Sequence, residues 1–234
     1  MMSWLAAVLF LVATMGFATE ETLREQLQTR KAASKAKSAP EQTEMFERGV
    51  TDVKNSGVLE SAKKTGDIAP GFKLMDATGK QAALVDFLKN GPVVLTWYRG
   101  GWCPYCNLAL HAMQEHLAEI KAAGAALVAI SPEQPDSSLT TVERHSLEFA
   151  VLSDLHNKVA RDYGIVFTLP DYLQPIYDNN LKLSEYNLDK SMELPLAATY
   201  IIGTDGLIKW HYLNGDYRER AEPADIVAAL NELK

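Results

Sequence analysis

Val94-Leu95-Thr96-Trp97-Tyr98-Arg99-Gly100-Gly101-Trp102-Cys103-Pro104-Tyr105-Cys106 opens with an apolar run, passes through two glycines and ends with a proline inside a cysteine pair. The run 93–98 has the near-continuous hydrophobicity of a strand covered on both faces. Gly100 and Gly101 predict a turn, and Pro104 suits the first position of a helix, where its missing N–H costs nothing. Cys103 then falls at the helix N-cap. The unpaired N–H groups and the positive end of the helix dipole favour a thiolate there, which predicts a Cys103 pKa below the ordinary ~8.5. Cys106 lies one turn further in, close enough to bridge and more buried. This asymmetry makes Cys103 the attacking sulfur and Cys106 the resolving one.

These are the only two cysteines in 234 residues, so a disulfide-rich scaffold is excluded. A zinc site of this type needs further ligands; His111 and His116 share the helix but lie five residues apart, on different faces. Covalent haem attachment would require His at the position held by Asn107. A structural disulfide closing so short a loop would constrain the unfolded chain little. A self-contained redox dithiol that needs no metal, flavin or nucleotide remains.

Around this centre the composition is ordinary. With 47% apolar and 23% charged residues the chain can bury a core, and its net charge of −7 argues against nucleic acid, which calls for clustered cations. Residues 4–18 form an uncharged apolar run, shorter than the ~20 residues of a membrane-spanning helix. It closes on Gly16-Phe17-Ala18 and is followed by Thr19-Glu20-Glu21, so residues 1–18 read as a signal peptide that sends the protein out of the cytosol. No Lys or Arg precedes the run, which leaves an uncleaved membrane anchor as the alternative, and with it the only expected membrane contact.

Residues 19–65 are charged and rich in helix formers, with Phe46, Val50 and Val53 on one face and a break at Ser38-Ala39-Pro40. They predict a helical prefix to a domain spanning 66–234. In that domain strands are expected at 72–75, 82–84, 93–98, 126–130, 150–152, 199–202 and 208–212, the last two joined by a hairpin at Thr204-Asp205-Gly206. Helices are expected at 104–123, 139–145, 158–163 and 223–233. The order implies an α/β fold with a mixed central sheet flanked by helices. Residues 165–193 read as a long irregular segment, either a contact surface or a packed insertion.

The segment Thr96-Trp97-Tyr98-Arg99-Gly100-Gly101-Trp102-Cys103-Pro104-Tyr105-Cys106-Asn107-Leu108-Ala109-Leu110 resembles the peroxiredoxin-like proteins of the alkyl hydroperoxide reductase and thiol-specific antioxidant superfamily. So do Val128-Ala129-Ile130-Ser131-Pro132-Glu133 and Glu193-Leu194-Pro195-Leu196-Ala197-Ala198-Thr199-Tyr200. The resemblance implies a thioredoxin-like fold and peroxide reduction, with Cys103 peroxidatic and Cys106 resolving. It further implies hydroperoxide substrates and a thioredoxin-like dithiol donor, and it allows a homodimer. Typical members carry Pro seven residues and Thr or Ser three residues before the peroxidatic Cys, and an Arg just before a later strand. Here those positions hold Thr96, Gly100 and, as the nearest match, Ala197.

Arg99 is the candidate to supply the missing cation, since its guanidinium is always charged and presents several donors in a plane; a solvent-facing charge at a strand end is the plainer reading. Trp102 resembles the thioredoxin Trp beside the active cysteine. Pro195 stands in the region where thioredoxin folds place a cis-proline facing the pair. Glu133 and His111 are candidates for proton transfer to Cys106, against the bland reading of packed or solvated side chains. The same dithiol also fits an extracytoplasmic thiol-disulfide oxidoreductase acting on protein clients, to which the Cys103-Pro104-Tyr105-Cys106 motif is closer, or a redox-sensing binding module that never turns over.

Overall fold

The computed structural model describes residues 21–233; the apolar run 4–18, and with it the expected signal peptide, lies outside them. The central sheet holds β1 (Lys73–Asp76), β2 (Gln81–Ala83), β3 (Val93–Trp97), β4 (Ala126–Ser131) and β5 (Ala150–Ser153). A separate two-stranded ribbon pairs β6 (Val166–Thr168) with β7 (Glu193–Pro195), and the hairpin β8 (Thr199–Ile202) and β9 (Ile208–Tyr212) completes the main sheet. Its order is β2-β1-β5-β4-β3-β8-β9, with β3, β4 and β5 parallel and the remaining pairings antiparallel.

The residue pattern explains why β3 and β4 sit at the centre. Val94 and Tyr98 point into one hydrophobic cluster while Val93, Leu95 and Trp97 point into the other, and Leu127 and Ala129 alternate with Val128 and Ile130 in the same way. Both faces are covered by helices, so both sets of side chains are apolar.

The amino-terminal segment forms helices α1 (Leu23–Lys37), α2 (Pro40–Lys54) and α3 (Val58–Ser61). Thr22 and Glu25 make a reciprocal capping box on α1, and the Glu222 carboxylate accepts the N–H groups of Leu23 and Arg24 at 2.9 and 3.0 Å. This ties the start of α1 to the far end of the chain, while Leu23 and Leu27 sink into the cluster that contains both cysteines. Ala39 and Pro40 begin α2 directly after the α1 C-cap Ser38.

Two expected elements differ. Instead of one helix over 104–123 there are two, Pro104–Glu115 and Leu117–Ala122, because His116 leaves helical geometry (φ −93°, ψ 6°) with its Nδ1 3.0 Å from the Ala112 carbonyl oxygen. Residues 165–193 are a packed insertion with structure of its own. Besides the ribbon strands it contains helices Gln174–Leu181 and Leu183–Asn187, and Leu169, Leu173, Tyr177, Leu183 and Leu194 form a third buried cluster. Among the described residues, no helix is long and apolar enough to cross a membrane.

Candidate active site

The turn after β3 delivers the cysteines. Gly100 has φ +150°, and a Cβ there would collide with the Trp102 indole and come within 2.9 Å of Glu133 Oε1. Only glycine fits this close approach. Cys103 is the N-cap of the helix Pro104–Glu115, with Pro104 opening the helix. Both sulfurs are unbridged, and both cysteines are buried, at 1% and 0% exposure.

The surroundings of the two sulfurs are unlike. Cys106 Sγ accepts hydrogen bonds from Arg220 Nη2 at 3.2 Å and from the Arg99 backbone N–H at 3.4 Å. On its inner side lies a void of about 10 Å³ bordered by Thr96 and Thr199, at the lower limit of what one water requires. Cys103 instead borders an open cleft of about 400 Å³. Burial opposes ionisation of both thiols. For Cys106 that cost is outweighed by the Cys103 thiol, by the charges of Arg220 and Arg99 and by the Arg99 N–H, which together hold it well below the ordinary thiol value. Burial and the adjacent Cys106 sulfur push Cys103 up. The expected shift is thus reversed: the surroundings favour negative charge on Cys106 over Cys103. Two arginines outweigh the helix end because they supply full charges at close range, whereas the dipole supplies about half a charge.

Arg99 is not solvent-facing. It is 2% exposed and lies in an aromatic cage, with its guanidinium carbon 4.2 Å from the Tyr217 ring centre, 5.0 Å from Trp102 and 5.2 Å from Tyr177. Nη2 donates to the Tyr177 hydroxyl at 2.5 Å, and Nε has no partner. Arg220, 9% exposed, donates from Nη1 to the carbonyls of Tyr217 and Glu219. Among the described residues neither arginine is paired with a carboxylate, although Arg218 beside them binds both Glu47 and Asp216. Two buried cations without a carboxylate converge on a dithiol, which is the arrangement that stabilises negative charge on sulfur.

The other sequence candidates separate. Glu133 is fully buried beneath the turn; its Oε1 accepts the Gly101 N–H at 2.9 Å, Oε2 has no partner, and burial raises its pKa to about 7. His111 lies on the outer surface, 3.4 Å from Glu115, so it is remote from any proton transfer at the sulfurs. Pro195 does not take up the cis-proline position: its peptide is trans, and it is held in the ribbon, paired with Val166 and bordering the pocket behind Arg99. Thr199, four residues later, is the strand residue that reaches the surroundings of Cys106, and its hydroxyl is 2.9 Å from that of Thr96. Trp102 packs edge-on against Tyr177 at 5.8 Å.

Arg220, Tyr177 and Tyr217 have no counterpart among the sequence candidates. Arg220 meets Cys106 across 114 residues and Tyr177 meets Arg99 across 78, separations that no local motif encodes. Among the described residues no cluster of His, Cys, Asp or Glu forms a metal site.

Residues 65–211 match the AhpC/TSA family. The chain is 33% identical over 119 residues to the chloroplastic peroxiredoxin Q of Gentiana triflora, covering 49% of this chain and 54% of that protein. It is 32% identical over 102 residues to peroxiredoxin Bcp of Escherichia coli, covering 44% of this chain and 65% of that one. The matches thus span between half and two thirds of these relatives. Among solved structures, the peroxidoxin BcpB of Mycobacterium tuberculosis superposes with a TM-score of 0.58 at 23% identity, covering 73% of this chain and 98% of that one. The shared fold is the thioredoxin-like one.

Proposed function

Since the chain belongs to the AhpC/TSA family, we propose that it is a thiol peroxidase that reduces hydrogen peroxide and organic hydroperoxides through Cys103 and Cys106. The observation that carries this reading is the asymmetric dithiol. The cleft-side sulfur of Cys103 adjoins a Cys106 sulfur whose hydrogen bonds from Arg220 and the Arg99 N–H favour its charged form.

The cycle follows from that asymmetry. Cys103 passes its proton to the Cys106 thiolate and becomes the nucleophile. It attacks the terminal peroxide oxygen, the O–O bond breaks, and the departing alkoxide takes the proton back from Cys106. Cys103 is now a sulfenic acid, the peroxide has been reduced to an alcohol or water, and Cys106 is again a thiolate. That thiolate attacks the Cys103 sulfur, forming the disulfide and expelling hydroxide, which is protonated to water. Two electrons from an external dithiol, for which we propose a thioredoxin-like donor, then reopen the disulfide. A protein donor requires the turn to open, since both cysteines are buried and Cys103 is reached only through the cleft. The apolar run 4–18 supports placing this cycle outside the cytosol.

Burial of both sulfurs favours a small substrate over a client protein. Reduced protein mixed with micromolar peroxide should oxidise at Cys103 far faster than free cysteine, and Cys106→Ser should accumulate Cys103 sulfenic acid by mass. Peroxide reactivity no better than free cysteine, with mixed disulfides trapped on client proteins, would replace this reading with a thiol-disulfide oxidoreductase. A disulfide form that no dithiol reduces would replace it with a redox sensor.

A further inference from the structure

The cleft over Cys103 is much larger than hydrogen peroxide requires. Its volume is about 400 Å³, within the usual range of organic-ligand sites, whereas hydrogen peroxide displaces on the order of two waters, roughly 60 Å³. Its walls are aromatic, from Phe46, Trp102, Tyr105 and Tyr177, and its rim is basic, from Arg30 and Lys35 of α1.

The partners of the cations sort them by what they are free to do. Lys31 lies 3.8 Å from Asp216, Arg218 is engaged with Glu47 and Asp216, and Arg99 is spent on its aromatic cage and Tyr177. Among the described residues Arg30 and Lys35 make no ion pair, and the one acid on the lining, Glu47, is held by both outer nitrogens of Arg218. An acidic chain of net charge −7 therefore presents a locally positive, aromatic-walled cleft directly over its nucleophile. Such a reversal of sign draws anions in against the overall field. Both free cations lie outside residues 65–211, so the matched family segment does not supply them.

We propose that this cleft selects organic hydroperoxides that carry a carboxylate, with the apolar body on the aromatic wall, the peroxide at Cys103 and the carboxylate between Arg30 and Lys35. The inference rests on the peroxidase reading and deepens it. The two rim residues act by binding and not in the sulfur chemistry, so their replacement should leave the reaction with hydrogen peroxide intact.

The test compares three peroxides on the full protein: a fatty-acid hydroperoxide, its methyl ester and hydrogen peroxide. We expect kcat/KM for the acid to exceed that for the ester by about tenfold in the wild type, the discrimination of one well-placed charge contact. Added salt should shrink the preference, because the rim is exposed. In Arg30→Gln/Lys35→Gln the acid should fall to the level of the ester, while the ester and hydrogen peroxide keep their wild-type values. Equal rates for acid and ester in the wild type, with all three peroxides turned over, would overturn the carboxylate site and leave the peroxidase reading standing. Failure of all three to oxidise Cys103 would overturn both.

Discussion

Residues 65–211 hold both sulfurs, Arg99, Trp102 and Glu133, whereas the segments on either side bring α1 and α2 over the cleft, Arg218 to its lining and Arg220 to the Cys106 sulfur behind it. The central segment provides a reactive group at a strand-to-helix turn. The flanks provide charge and enclosure. A chain that lacks the usual family residues at positions 96, 100 and 197 obtains a cation on its dithiol from a part of the sequence beyond the matched region. Carboxylates differ in the same way. Burial raises the pKa of Glu133 in the central segment to about 7, while hydrogen bonds and the charge of Arg218 hold Glu47 and Asp216 in the flanks below the ordinary carboxylate value.

Substitutions that strike the centre and the flanks separately sharpen this division. The largest effect belongs to the centre: Cys103→Ser should reduce peroxide turnover by about a thousandfold or more, with the fold intact by circular dichroism. Turnover retained in that variant would place the chemistry elsewhere.

The next effect belongs to the flanks. Arg218→Ala strands Asp216, whose side chain is 7% exposed, without its close cation, and should cost about 3–4 kcal/mol in chemical denaturation. Because Arg218 hydrogen bonds and charge hold the Glu47 pKa down, and outweigh burial at Asp216, the stability that these acids contribute is complete at neutral pH. It is lost as pH falls from about 4 through the depressed folded values. A variant as stable as wild type at pH 7 would mean that the cluster contributes nothing.

Glu133 has the opposite sign. Burial raises its folded pKa to about 7, so the folded state keeps a proton that the unfolded chain releases above about pH 4.3, and stability falls as pH rises between the two. Glu133→Gln keeps a carbonyl for the Gly101 N–H and removes the titration. It should match wild type near pH 5 and exceed it at pH 8 by roughly 3 kcal/mol. Parallel denaturation midpoints at the two pH values would show that Glu133 is already ionised in the fold.

Legibility in the sequence follows the same boundary. The near-continuous hydrophobicity of Val93 through Tyr98, the Thr204-Asp205-Gly206 hairpin and the Cys103 N-cap are local, fixed by neighbours within a few residues, and each stands in the structure where hydrophobic patterning and turn chemistry put it. Recognition of the cysteine turn led to Arg99, but its enclosure by Tyr177 and Tyr217 depends on packing between segments distant in the chain. Arg220 lies in a run of alternating charge, Arg218-Glu219-Arg220-Ala221-Glu222, that carries no local sign of burial. Only the docking of that loop under Glu222-capped α1 buries it against Cys106. The break at His116 was likewise hidden, because helix periodicity continues through it.

The smallest expected effect is the most direct test of the division between centre and flanks. The pH dependence of thiolate absorbance in the reduced protein reports the apparent pKa of the cysteine pair. If Arg220 holds the charge on Cys106, Arg220→Gln should raise that value by at least about one unit, a tenfold loss of thiolate at a pH below it. Arg220→Lys should recover part of the shift. An unchanged titration in a folded Arg220→Gln protein would show that the central segment ionises its dithiol unaided and would contradict the role assigned to the flank.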